Sequence, residues 1–80
     1  MRPDQARELL STALLRIVPD ADLAGLDDDE DFRDALELDS LDFLSLVETL
    51  SQQSGVPLDE DDYPRLTTTR STVDLLATRG

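Results

Sequence analysis

The chain of 80 residues contains no cysteine, no histidine and no lysine. The first two absences remove disulfides, thiolate and imidazole metal ligands, and the commonest catalytic nucleophile and general base. With lysine missing as well, no side chain remains to activate a serine or threonine hydroxyl. The carboxylates fall mostly on solvated faces, so no catalytic residue and no resident metal site are expected. Any sulfur chemistry must be borrowed. No run of about 20 apolar residues occurs, and no basic start precedes an apolar stretch, so neither a membrane span nor a secretory signal is expected. A cytoplasmic location follows as the expectation. A chain this short has room for one domain, residues 1–80, and buries only about 60 to 65% of its unfolded surface.

Acids are abundant and unevenly placed. From Asp20 to Asp62 stand 16 acids against one base, Arg33, while 3 acids and 6 arginines occupy the rest, giving a net charge of −12. Such a field repels nucleic-acid phosphates and anionic membranes and attracts basic protein surfaces. Solubility alone also accounts for an acidic surface.

Apolar spacing marks three longer helices. Ala6, Leu9, Leu10, Ala13, Leu14 and Ile17 form one helical stripe, ended by Pro19. Asp20 to Asp31 reads as a polar loop whose five successive acids, Asp27 to Asp31, repel one another and oppose compact local structure. A second helix begins near Asp39 or Ser40, with Asp39 as N-cap, Asp42 three residues on, and a stripe of Phe43, Leu46, Val47 and Leu50. Gly55 and Pro57 stop it. Asp59 to Pro64 allows one short helical turn. A last helix spans about Thr69 to Thr78, capped by Thr68, with Val73, Leu76 and Ala77 inward and Gly80 at its end. No segment alternates as a strand does. The fold class is therefore all-α: a four-helix bundle of three longer helices and one short one.

Chemistry concentrates in Leu36-Glu37-Leu38-Asp39-Ser40-Leu41-Asp42-Phe43-Leu44. Ser40 falls at a helix start, where unpaired N–H groups and the positive end of the helix dipole favour an attached anion such as a phosphodiester. A serine there can equally be a plain cap. At 100° per residue about the helix axis, the core stripe leaves Leu41, Ser45, Glu48 and Gln52 on the opposite face, with Leu44 at its flank. Two apolar side chains beside Asp39, Asp42 and Glu48 suit partner docking, the leucines supplying contact energy and the acids steering a basic surface.

The triplet Asp39-Ser40-Leu41 opening the second helix resembles the acyl carrier protein family. The likeness covers essentially the whole chain, through the acidic loop and the short helix to Leu66-Thr67-Thr68 and the final Val73-Asp74-Leu75-Leu76. It implies that a phosphopantetheinyl transferase, with magnesium supplied on the transferase, moves 4′-phosphopantetheine from coenzyme A to the Ser40 hydroxyl. The arm would then supply the missing thiol and hold acyl intermediates as thioesters. Partners would be acyl-loading and acyl-processing enzymes with basic docking surfaces, serving fatty-acid, polyketide or related biosynthesis, and the carrier would be monomeric. Two departures stand out. The family usually has glycine two residues before the aspartate, where this chain has Glu37. Outward acids common in the family are replaced by Ser45, Ser51 and Gln52, which points to a specialised pathway.

Other readings compete. Asp20, Asp22, Gly25 and Asp31 imitate a calcium loop, but Ala24 and Asp27 occupy a ligand and an apolar position, and Asp31 replaces the bidentate glutamate. An aminoacyl or D-alanyl carrier shares the serine, although peptidyl carriers usually have glycines and a polar residue before it. An unmodified acidic helical adaptor would use Ser40 only as a cap. Met1 just ahead of the first helix and Gly80 just past the last suggest a discrete protein rather than an excised module.

Overall fold

A computed structural model describes residues 1–79; the expectation that Gly80 closes the last helix lies outside the described residues. Among the described residues four α-helices occur, α1 (Pro3–Ile17), α2 (Phe32–Ala35), α3 (Ser40–Ser54) and α4 (Thr69–Arg79), with 3₁₀ segments at Leu23–Gly25 and Glu60–Arg65. No strand is present among the described residues; Asp31 and Thr68 form an isolated bridge.

Local chemistry sets the helix ends. Pro3 occupies the first turn of α1, where a missing N–H costs nothing, and the Val18 N–H bonds to Leu14 O at 2.8 Å just before Pro19. Asp39 Oδ1 accepts the Asp42 N–H at 2.8 Å and caps α3. At the other end Gly55 takes a left-handed φ of 73° and donates to Ser51 O at 3.0 Å. Thr68 Oγ1 accepts the Ser71 N–H at 3.1 Å and so starts α4.

The three long helices pack around Leu10, Leu14, Leu46, Leu50 and Leu76, with Phe32 and Leu38 closing the same core. A second, smaller cluster joins Phe43, Val47, Leu66 and Leu75 and is covered by Leu58 and Tyr63. α3 thus faces two ways, giving Leu46 and Leu50 to the first core and Phe43 and Val47 to the second. This division explains α4. Val73 and Leu76 are buried as its periodicity predicts, Ala77 is only half-buried, and Leu75 is buried because the second cluster lies on its side; Thr72 is buried as well. Leu9 and Ile17 are also only half-buried, so the apolar stripe of α1 is narrower than its spacing predicts.

The acidic connection departs most from expectation. Repulsion among Asp27 to Asp31 does not leave an open loop, because arginines distant in sequence fold over it. Arg7 of α1 donates to both oxygens of Asp28 at 2.9 and 2.7 Å, and Arg70 of α4 to both of Asp29 at 2.6 and 3.3 Å. The Arg70 N–H also bonds to Asp28 O at 2.9 Å, and the Phe32 N–H to Thr67 O at 2.8 Å. Asp22 caps the first 3₁₀ segment by accepting the Gly25 N–H, and Asp31 caps α2 by accepting those of Arg33 and Asp34. Of the acids in the imitation calcium loop, Asp22 and Asp31 are thus turn caps, and Asp28 and Asp29 are arginine partners. Among the described residues no group of acids is gathered to hold a metal ion. The helix α2 was not expected; Phe32, fully buried, anchors it. The short turn expected at Asp59 to Pro64 is the 3₁₀ segment Glu60–Arg65.

Candidate functional site

Ser40 is the first residue of α3 and is exposed. The cap belongs to Asp39, which resolves the choice left open between the two residues. The Ser40 hydroxyl therefore has no capping task. The N–H groups of the first turn have no acceptor inside the helix beyond what Asp39 provides, so the start of α3 presents partial positive charge beside that hydroxyl.

The approach to α3 depends on Glu37. Leu38 N–H bonds to Arg33 O at 2.9 Å and Glu37 N–H to Asp34 O at 3.2 Å, which reverses the chain sharply between α2 and α3. Glu37 makes the reversal with φ at 54°, in the left-handed region where glycine is favoured. The glutamate thus keeps a turn that suits glycine, at a cost in backbone strain.

Around the serine, Leu41 is 76% exposed and Leu44 46% exposed, the two lying one turn apart on α3. Glu48 follows one turn later and is exposed, Asp42 is half-buried, and Asp39 is exposed while one of its oxygens serves as the cap. The structure therefore groups Ser40, Leu41, Leu44 and Glu48 along one side of α3, with Asp39 and Asp42 at its start. None of these three acids forms an ion pair among the described residues.

Periodicity alone did not reveal a groove of about 550 Å³ beside this row, lined by Leu44, Val47, Glu48, Ser51, Gln52, Leu58 and Tyr63. One wall is α3 and the other is the chain from Leu58 into the 3₁₀ segment. Its floor is the second core, where Tyr63 meets Phe43 edge to face with ring centroids 5.2 Å apart. Leu44 and Glu48 belong to both the exposed row and the groove. Ser51 and Gln52, the departures from the family pattern, are among its polar lining.

The far wall is pinned to α4. Asp62 is 5% exposed and pairs with Arg79 through both oxygens, at 2.8 and 2.6 Å, while also accepting the Asp59 N–H at 3.1 Å. The Arg79 hydrogen bond, assisted by the Asp59 N–H, holds the Asp62 carboxyl below the usual carboxylate range. Ser71 Oγ donates to Arg65 O at 2.6 Å, and Arg65 pairs with Asp74 at 3.1 Å. A buried, ionised aspartate on this short segment could not be inferred from a run of four acids.

Residues 4–76 match the family described as the phosphopantetheine attachment site. A curated relative, polyketide-8 synthase acyl carrier protein 2 of Streptomyces avermitilis, is 34% identical over 76 residues, covering 95% of this chain and 82% of the relative.

Proposed function

Since the chain belongs to the acyl carrier protein family of phosphopantetheine-bearing carriers, we propose that Ser40 is its attachment point and that it carries polyketide intermediates. Members of this family are carriers without catalytic activity of their own. The prosthetic group is 4′-phosphopantetheine, and the family's partners are a phosphopantetheinyl transferase and biosynthetic enzymes.

One observation carries the choice of Ser40: it stands at the first position of α3 with Asp39 doing the capping, so its hydroxyl is exposed and free of a structural role. The residues there fit the group. During loading the hydroxyl gives up its proton to a base on the transferase, and its oxygen bonds to phosphorus as the pyrophosphate linkage of coenzyme A breaks and adenosine bisphosphate leaves. A phosphodiester there would lie beside the open N–H groups of the first turn, whose partial positive charge favours an anion. Once attached, the arm supplies a thiol that holds acyl groups as thioesters, which answers the lack of cysteine.

Leu41 and Leu44 serve as apolar anchors for partner enzymes, and Asp39, Asp42 and Glu48 steer basic surfaces toward them. The groove beside Leu44 gives cargo a place against α3. The polyketide assignment rests on the name of the relative and agrees with the replacement of outward acids at Ser45, Ser51 and Gln52. Incubation with a broad-specificity phosphopantetheinyl transferase and coenzyme A, followed by intact mass measurement and fragmentation, tests the proposal. A single phosphopantetheine on Ser40 is expected; modification elsewhere, or none, defeats it.

A further inference from the structure

We propose that Arg33 is a positioning residue for the attached arm, with its guanidinium holding the phosphodiester on Ser40. The inference rests on the attachment reading above and adds a residue that the attachment motif does not contain.

Arg33 is the single base between Asp20 and Asp62. In so acidic a surrounding it would be expected to pair with a carboxylate, yet among the described residues it forms no ion pair. Five of the other arginines do, and the sixth, Arg16, lies exposed on α1. Instead the Arg33 guanidinium sits over the Phe43 ring, 4.4 Å from its centroid. A cation–π contact fixes the position of the charge without using its N–H donors. Arg33 is half-buried, so the contact restrains a group that would otherwise extend into solvent.

The restraint acts near Ser40. Phe43 lies three residues after Ser40, hence one turn along the same helix, and side chains at that spacing are neighbours. Arg33 approaches from the N-terminal side, because its carbonyl accepts the Leu38 N–H at 2.9 Å, two residues before the serine. A guanidinium is thereby carried to the opening of α3, and among the described residues its side-chain donors bond to no acceptor.

Charge gives this placement a use. A phosphodiester on Ser40 adds a negative charge beside Glu37, Asp39 and Asp42, which repel it. The start of the helix offsets part of that repulsion, and a fixed guanidinium, whose planar donors match phosphate oxygens, offsets more. Holding the phosphate would also limit the directions in which the rest of the arm leaves the helix.

Nuclear magnetic resonance of the intact protein tests this. The side-chain Nε–Hε signals of all seven arginines are compared before and after loading, with mass measurement establishing that Ser40 is modified. The Arg33 signal is expected to move more than any other. In the loaded protein the phosphorus resonance should shift with Arg33→Met, whose side chain still covers Phe43, and stay in place with Arg16→Met. An unmoved Arg33 signal in fully loaded protein overturns the proposal, as does a phosphorus resonance indifferent to Arg33→Met. Should that variant fail to fold, the arginine signals of the unaltered chain decide alone. Failure of the chain to load would be seen separately by mass, and would remove the attachment reading and this inference with it.

Discussion

The acids around Asp28 and those of α3 are alike in chemistry and opposite in use. Asp28 and Asp29 are each gripped by an arginine from a helix distant in sequence, and Asp62 is buried against Arg79. Asp42 and Glu48 belong to no ion pair among the described residues, and Glu48 lies exposed beside two leucines. The first set ties the connections to the helices; the second leaves one face of α3 negative and open. A run of acids in a sequence therefore says little about its role until the positions of the cations are known.

If this division is right, changes on α3 alter function without stability, and changes in the paired set do the reverse. The largest effect is expected from Ser40→Ala, which should abolish loading by a transferase. Its thermal melt should stay within about 0.5 kcal/mol of the parent, because Asp39 keeps the cap. Next is Leu41→Ala. Burying a leucine against a partner is worth about 1.5–3 kcal/mol, so the specificity constant for loading should fall about tenfold or more with the melt unchanged. A leucine variant that unfolds would place this face in the core and break the comparison.

The paired set is sharpened by acid. Asp28 is held below the ordinary carboxylate range by its hydrogen bond to Arg7, and Asp62 by its bond to Arg79. Depressed values mean that the stabilisation is complete at neutral pH and is lost as pH falls below about 4, through the folded-state values. Asp62→Asn should therefore melt lower than the parent near neutrality and approach it under acid. Melts that run parallel down to about pH 3 would show that this pair does not stabilise the fold.

Smaller effects separate backbone from charge. Glu37→Gly should raise stability by about 0.5–1 kcal/mol, since the left-handed conformation costs a non-glycine residue roughly 1–2 kcal/mol and glycine's extra unfolded-state freedom takes back part of the gain. Denaturant melts measure it, and a loss of stability would mean that the Glu37 side chain contributes more than its backbone costs. Smallest of all is Glu48→Gln, which should slow association with a basic partner at low salt and have almost no effect at moderate ionic strength. A large effect that persists in salt would make recognition chiefly ionic and demote the leucines.

The features legible in the sequence share one property: they are settled within a few residues. Asp39 caps through a bond to Asp42, Gly55 ends α3, Thr68 starts α4, and the stripe of Phe43, Leu46, Val47 and Leu50 is buried as its spacing predicts. Leu41 was readable as outward for the same reason. Features missed share the opposite property. Arg7–Asp28, Arg70–Asp29 and Arg79–Asp62 join positions 21, 41 and 17 residues apart. The groove needs α3 and the Leu58 to Tyr63 segment side by side. The short helix α2 depends on Phe32 reaching a core assembled by other helices.

By itself the sequence determined the three long helices, the caps Asp39 and Thr68 and the outward direction of Leu41, because side-chain period and terminal hydrogen bonds act over one or two turns. Tertiary structure alone decided which acids are paired and which stay open, how α3 is shared between two cores, and where the single base of the acidic stretch sits. Those outcomes depend on distances between groups far apart in the chain, and Coulomb attraction and apolar burial act on such distances only once the helices have packed.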